Sequence, residues 1–289
     1  MKQTIPVYDI CTISAGHQHQ DLLAERLAGY LRKNYQRVHQ QHGHDFYHLV
    51  LFTKGNGAHT LDFTRFAVHP WQIYFMMPGQ VHSWHFGEGT DGYVIHFSAS
   101  FFHTFLMQHQ YLEHFPFFSG NSKEQVLNLP ANGREEIRNV FEQILDEAAG
   151  PNEPDMVRVL LLQLFLLVNR MTVKSPPKAV PQQKQLVLRN FRQLINKHYR
   201  RIRLPKEYAE LLYITPNHLN ALCQDLLGKT AGELIRERVL LEAKRMLTNE
   251  DLSVTQIASD LNFEDNSYFS RFFKKYEGTS PEEFRNSLI

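Results

Sequence analysis

Two groups of side chains in this sequence could do chemistry, one built from imidazoles and one from small polar and basic residues. His42, His44 and His48 fall at intervals of two and four in HGHDFYH, so on a β-strand all three project to one face. His82 arrives from the separate stretch PGQVHSW. Imidazoles ligate zinc, copper, nickel or iron(II), and they also line pockets and hydrogen-bond polar ligands. The reading adopted is a pocket without a resident metal or cofactor, with a metal centre of His42, His44, His48 and His82 as the alternative. Phe46, Tyr47, Tyr74, Trp84 and Tyr93 occur in the same segments. With the histidines they suit a small molecule with polar edges and flat faces, such as a sugar ring, although any one such aromatic is more often simply core.

The second group belongs to a repeat. The stretch ITPNHLNALCQDLLG, Ile214 to Gly228, returns fifty residues later as FEDNSYFSRFFKKYEG. Laid over one another, Ala209 matches Ala258, Leu219 Phe269, Gly228 Gly278, Glu233 Glu283 and Leu234 Phe284. Each unit reads as a short helix, a tight turn and a second helix with apolar positions every three or four residues, a helix-turn-helix pattern. In the second unit Ser253 and Gln256 form a capping-box signature, and Asn262 supplies the left-handed turn residue. Phe269, Phe272 and Phe273 then face inward, leaving Ser267, Tyr268, Ser270, Arg271, Lys274 and Lys275 outside. In the first unit Thr215 caps, Pro216 opens the helix, and Leu219 and Leu222 face the core. Asn217, His218, Asn220, Ala221 and Gln224 remain outward. Such donors and acceptors suit the base edges of a DNA major groove.

A helix from Ala231 to Leu247, with Ile235, Val239, Ala243 and Met246 on one stripe, joins the units. At about 1.5 Å per residue it spans about 25 Å, which suits two reading helices near one DNA turn of about 34 Å apart. An all-helical protein-binding module is the competing reading.

The spaced pair resembles the DNA-binding domain of the AraC/XylS transcriptional regulators over roughly residues 185 to 287. AGELIRERVLLEAKRML and the run from IASDLNF through YFSRFFKKYEGTSPEEFR carry the resemblance. It implies that the second helix of each unit enters the major groove, with base-facing roles around Asn217 and Asn220, then Asn266, Ser267, Ser270 and Arg271. Tyr213 stands where the family usually has glycine and Ala221 where it often has a long basic side chain, so the first turn is expected to be strained and the first unit to read fewer bases. HGHDFYH followed by Gly55, together with PGQVHSW from Pro78, is similar to the cupin barrel that many of these regulators carry. Metal-binding cupins place a glutamate where His48 stands, and the second motif here lacks the usual spacing and closing asparagine. The resemblance implies a DNA-binding regulator under small-molecule control rather than an enzyme, a homodimer, and RNA polymerase as a further partner.

These residues must be positioned by two kinds of fold. From His44 the sequence alternates as strands do, in HDFYHLVLFT, AHTLDFT, FAVH, QIYFMM, VHSWHF and GYVIHF, separated by glycine-containing turns; this predicts an all-β barrel or sandwich. VLNL near 126 adds an edge strand, and residues 21 to 34 read as a short helix. Helices are expected over 134–149, with a full apolar stripe, and 155–171, apolar nearly all round; one face covers the barrel and the other meets a second copy of the chain. The proline-containing stretch 172–185 reads as a linker. Val187, Phe191, Leu194, Ile195 and His198 mark the first helix beyond it, and Ser280, Pro281 and Glu283 open the last. The expected architecture is α+β multidomain: a cupin-like sensing barrel over 1–130, a helical dimerisation segment over 131–171, the linker, and a seven-helix DNA-binding domain over 186–289 with two helix-turn-helix units.

Composition agrees with this organisation. The 289 residues, 43% hydrophobic, suffice for about two domains. Residues 183–289 hold 17 Lys and Arg against 14 Asp and Glu, a net of +3, leaving −2 for the remainder. So small an excess predicts weak nonspecific affinity for DNA, lost quickly with salt. Cys11 and Cys223 lie in different expected domains, which excludes a disulfide framework and fits a cytoplasmic location. MKQTIPVYDI lacks the apolar run of a signal peptide. VRVLLLQLFLLVNRM from Val157 is interrupted by Arg158 and Gln163 and is too short to span a bilayer.

Overall fold

The computed structural model describes residues 5–13, 21–107, 111–150, 154–172, 181–249 and 251–288. Two compact units divide at residues 176 and 177.

The N-terminal unit contains β1 (Val7–Tyr8), α1 (Ile10–Ile13), β2 (Leu22–Arg26), α2 (Leu27–Val38), β3 (His42–His44), β4 (Phe46–Lys54), β5 (Gly57–Leu61), β6 (Thr64–Ala67), β7 (Gln72–Met76), β8 (Val81–Phe86) and β9 (Asp91–Ser98). Three-residue and four-residue 3-10 turns lead into α3 (Ser122–Gln125), β10 (Val126–Asn128), α4 (Arg134–Ala149) and α5 (Asp155–Thr172). The strands form two five-stranded sheets, ordered β1-β3-β8-β5-β6 and β10-β7-β4-β9-β2. All six expected strand segments are strands, and β10 lies at a sheet edge as expected.

β4 organises this unit. It pairs antiparallel with β7 on one side and β9 on the other and is buried through Phe52 except at Tyr47. Its alternation therefore separates two apolar environments, not core from water. Leu49 and Leu51 join Ile73, Phe75, Tyr93, Ile95 and Phe97 in a core covered by Ile137, Val140, Phe141 and Ile144 of α4 and Leu161, Leu164, Phe165 and Val168 of α5. Phe46, Val50 and Phe52 point the other way, into a core shared with Tyr30, Tyr74, Trp84 and Val94. Because β3 and β4 belong to different sheets, the chain crosses at Asp45 while keeping its parity. His42, His44 and His48 thus stay on one interior face.

One expected element is corrected. Residues 21 to 34 do not form a single helix: Leu22–Arg26 is a strand paired along its whole length with β9, from Leu22 opposite Phe97 to Arg26 opposite Tyr93, and the helix starts at Leu27. Leu22 and Leu23 are both buried, on opposite faces of β2; a two-sided strand carries no alternation to distinguish it from helix.

The C-terminal unit contains α6 (Gln182–His198), α7 (Pro205–Leu211), α8 (Pro216–Leu227), α9 (Ala231–Leu247), α10 (Val254–Asp260), α11 (Asn266–Glu277) and α12 (Pro281–Asn286), seven helices among the described residues. Much of the stretch read as a linker, residues 173–180, lies outside the described residues, while Gln182 to Gln185 already form the first turn of α6. The termini follow the sequence closely. Thr215 accepts from His218 N at the start of α8, and Thr230, Ser253 and Ser280 form complete capping boxes with Glu233, Gln256 and Glu283. Gly228 and Gly278 close α8 and α11 in the left-handed conformation. Ala231, Ile235, Val239, Ala243 and Leu247 form the buried stripe of α9, against which α7, α8, α10, α11 and α12 pack.

Candidate effector chamber and nucleic-acid interface

Between the two sheets the structure collects six buried histidines: His42 and His44 from β3, His48 from β4, His59 from β5, His82 from β8 and His96 from β9. Strand register brings them together. His42 pairs with His82, His48 with His96, and His59 with Trp84. The Pro78–Gly79 turn fixes one edge, since Gly79 takes φ +79 and its N–H donates to His44 O at 2.7 Å. Gln80 locks the same turn by accepting from Met77 N at 2.7 Å while donating to Asp62 Oδ2 at 2.5 Å.

Hydrogen bonds link several of these rings to one another. Trp84 Nε1, a donor only, lies 2.8 Å from His59 Nε2, which makes that nitrogen an acceptor and puts the His59 proton on Nδ1. His82 Nδ1 lies 3.0 Å from the same nitrogen. Trp84 Nε1 also donates to His82 Nδ1 at 3.0 Å, so the indole N–H is shared between the two imidazoles, and His82 Nε2 in turn lies in hydrogen-bond contact with His44 Nε2 at 3.3 Å. His42 Nδ1 similarly donates to Gln40 O at 2.8 Å, leaving the lone pair on its Nε2.

Burial lowers all six imidazole pKa values. His42 is lowered to about 4 by burial, against the bond to Gln40, which raises it; His59 and His96 are lowered to about 3 by burial and then by His42. His44, His48 and His82 lie well below the ordinary histidine value, from burial and then repulsion by the neighbouring rings. All are neutral at pH 7 and retain lone pairs. Among the described residues, His42 Nε2, His59 Nδ1, both ring nitrogens of His48 and His96, and Tyr30 Oη have no hydrogen-bond partner. An unmet buried polar group costs about 1–3 kcal/mol, so a bound group that satisfies three of them recovers several kcal/mol.

The expected effector residues divide. His42, His44, His48, His82, Phe46, Tyr74 and Trp84 share this interior: Phe46 stacks on His44 with ring centroids 4.4 Å apart, Tyr74 packs 4.7 Å from His59, and Trp84 5.3 Å from His48. Tyr93 does not. Its register opposite Leu51 turns it to the helix-covered face, where it packs 5.1 Å from Phe141 and donates to Glu142 Oε1 at 2.5 Å. Tyr47, stacked on Phe97, has the same orientation. His59, His96 and Tyr30 are chamber residues that sequence reasoning missed. His59 and His96 are single histidines in short strands, and only their register to Trp84 and His48 reveals them.

In the C-terminal unit both turns take the same backbone conformation, φ +55 at Tyr213 and +56 at Asn262. On α8, Leu219, Leu222 and Cys223 are buried, while Asn217, His218 and Gln224 are exposed. Asn220 is half-buried, and its Oδ1 accepts from Ala231 N at 3.0 Å; its carbonyl is engaged at the start of α9. On α11, Phe269 and Phe273 are buried and Phe272 half-buried, while Asn266, Ser267, Tyr268, Arg271, Lys274 and Lys275 are exposed and Ser270 half-buried. Asp265 caps this helix, accepting from Tyr268 N at 2.6 Å.

Two ties hold the helices in place. Lys244 of α9 pairs with Glu277 of α11 at 2.8 Å. Arg203, just before α7, donates to the carbonyl of Leu261 at the end of α10, and its guanidinium lies 4.2 Å from the Phe263 ring centroid. Sequence reasoning missed Arg203, because its partners lie 58 residues or more away.

Comparison with known proteins gives two family matches: an AraC-like ligand binding domain over residues 27–165 and a helix-turn-helix domain over residues 208–287. The HTH-type transcriptional activator RhaR of Enterobacter sp. (strain 638) is 22% identical over 253 residues, covering 87% of this chain and 88% of that protein. The HTH-type transcriptional regulator YisR of Bacillus subtilis (strain 168) is 24% identical over 246 residues, covering 82% and 84%. Among solved structures, ToxT from Vibrio cholerae O395 aligns with a TM-score of 0.45 at 12% identity, covering 94% of this chain and 99% of that one.

Proposed function

We propose, for a chain that belongs to the AraC-type transcriptional regulators, that α8 and α11 read two neighbouring blocks of a DNA site while the histidine chamber receives the controlling small molecule. The observation that carries the DNA-reading assignment is the pair of matched units with one shared turn conformation, each exposing polar side chains on its second helix. Asn217, His218 and Gln224 of α8 and Asn266, Ser267, Ser270 and Arg271 of α11 are assigned to base edges, and Asn220 to the rim of the first contact. Tyr268, Lys274 and Lys275 are assigned to the sugar-phosphate backbone. The two helices differ in charge, since α11 carries three cations and α8 none, so the second unit supplies most of the electrostatic affinity.

The effector is a small molecule with hydrogen-bonding edges, taken up by the unmet imidazole nitrogens and the Phe46, Tyr74 and Trp84 rings; a sugar fits that description. Its occupancy shifts the populations of DNA-competent and incompetent arrangements. The chain is assigned as a cytoplasmic, non-enzymatic activator that works with RNA polymerase, in keeping with the activator named among its relatives. No helix among the described residues is long and apolar enough to cross a membrane. α5 leaves Met156, Val159 and Leu166 exposed, the last two at 46% and 52%, and this face is assigned to a homodimer. The test is selection of DNA sites from a random pool with the full-length protein at two salt concentrations. Recovery of two short blocks about one helical turn apart supports the reading, and recovery of no preferred sequence in the presence of candidate effectors refutes it.

A further inference from the structure

We infer that the chamber holds one divalent transition-metal ion of the zinc, copper, nickel or iron(II) class, ligated by His42, His44 and His82. The inference concerns what fills the barrel and is independent of the DNA-reading assignment.

Geometry carries it. One ring nitrogen from each of these three histidines lies within 4.8 Å of the other two. Between His44 Nε2 and His82 Nε2 the separation is 3.3 Å. Metal–imidazole bonds of about 2.0–2.1 Å at the tetrahedral angle set their nitrogens about 3.3–3.4 Å apart, so two ligands already stand at the edge length of such a site.

A surrounding bond selects the correct lone pair on His42. Metal-binding histidines direct the second ring nitrogen to a carbonyl or similar acceptor, which fixes the tautomer. His42 Nδ1 does so to Gln40 O at 2.8 Å, which leaves its Nε2 for the ion. His42 Nε2 is buried and otherwise unpartnered among the described residues. Imidazole nitrogens favour borderline transition ions over magnesium or calcium, which require oxygen donors.

Three neutral ligands leave the ion its full double charge in a low-dielectric interior, which is costly without a counter-ion. The fourth position therefore favours an anionic oxygen donor. His48, His96 and Tyr30, whose ring nitrogens and hydroxyl are unmet, continue from His44 as a chain of rings, His48 4.9 Å from His44 centroid to centroid, His96 4.4 Å from His48 and Tyr30 5.3 Å from His96, and offer hydrogen bonds to such a donor. The controlling molecule becomes one that presents a carboxylate or a deprotonated hydroxyl to the metal.

The test uses full-length protein made without a histidine tag. Metal content is measured by mass spectrometry after purification, and cobalt(II) is then titrated into chelator-treated protein as a spectroscopic probe. Expected are about one ion per chain and the intense visible bands of four-coordinate cobalt. His82→Gln and His42→Gln should each weaken cobalt binding at least tenfold, while Arg271→Ala should leave it unchanged. Near-UV circular dichroism identifies any variant that has merely unfolded, and the wild-type stoichiometry stands without the variants. Substoichiometric metal with no cobalt bands in folded wild-type protein overturns the inference, as does undiminished binding in both folded histidine variants. Measuring DNA binding on the same samples separates the two assignments: DNA recognition without metal refutes the ion alone, and metal without DNA recognition refutes the regulator reading alone.

Discussion

Replacing Arg203 with Met tests whether the two helix-turn-helix units are mechanically coupled by more than the helix between them. Arg203 reaches from the segment before α7, in the first unit, to the Leu261 carbonyl at the end of α10 and the face of Phe263, in the second. Phe263 in turn packs against Tyr268, Phe269 and Phe272 of α11, so the contact bears directly on the second reading helix. Met preserves most of the aliphatic packing while removing the charge and the donor. A hydrogen bond to a charged group is worth about 1.5–3 kcal/mol and a partly desolvated cation–π contact about 0.5–2 kcal/mol. Together they predict a loss of about 2–5 kcal/mol, or about 30-fold to 5000-fold in the unfolding equilibrium. Both tryptophans, Trp71 and Trp84, lie in the N-terminal unit, so their fluorescence reports the barrel alone in a urea titration. Far-UV circular dichroism also includes the seven C-terminal helices. The helical transition should move to lower urea while the tryptophan transition stays in place. A helical midpoint unchanged to within about 0.5 kcal/mol would refute the coupling.

Three further outcomes follow from single contacts. Tyr213 is 96% exposed at φ +55; relieving about 1–2 kcal/mol of left-handed strain, less about 0.5–1 kcal/mol for the freer glycine chain, makes Tyr213→Gly stabilising by about 0.5–1 kcal/mol in chemical denaturation, and a destabilised variant contradicts the strain argument. Asn220→Ala frees the N–H of Ala231 at the start of α9 and should cost about 0.5–2 kcal/mol, measured in the same titration; no change would mean that water replaces the cap. Arg271→Ala should weaken a specific site by about 1–3 kcal/mol and relax preference at one base position, whereas losing Lys274 and Lys275 together should weaken all DNA about equally and flatten the salt dependence. Equal effects of the two changes on sequence preference would exclude a base-reading role for Arg271.

The C-terminal unit was legible nearly residue by residue, because its signals are local. A capping box, a proline at the first helical position and an apolar residue every third or fourth place are all written within one turn of the element they define. Ala231–Leu247 accordingly begins and ends where the periodicity places it, as does Arg134–Ala149 in the N-terminal unit. Asn262 occupies the left-handed turn for which its short amide suits it, and Tyr213 occupies the matching turn at the cost of strain. The barrel was legible in its strands but not in its register. His42, His44, His48 and His82 could be grouped from parity within their motifs, while His59 and His96 join them only through pairing with strands 25 and 48 residues away. Tyr93 shows the converse: its composition suits a ligand pocket, and its place opposite Leu51 sends it to the helices. Leu22–Arg26 was read as helix because a strand buried on both faces carries no alternation. Side-chain ties across the fold, Arg203 above all, have no sequence period.

The measurement that bears most directly on the account is the affinity of the full-length protein for a selected two-block site, compared with versions in which one block and then the other is scrambled. If α8 and α11 both read bases, scrambling either block should weaken binding at least tenfold, with the block under α11 showing the steeper salt dependence. If one scrambled block leaves affinity unchanged, the chain reads DNA through a single unit and the paired-reader account is wrong.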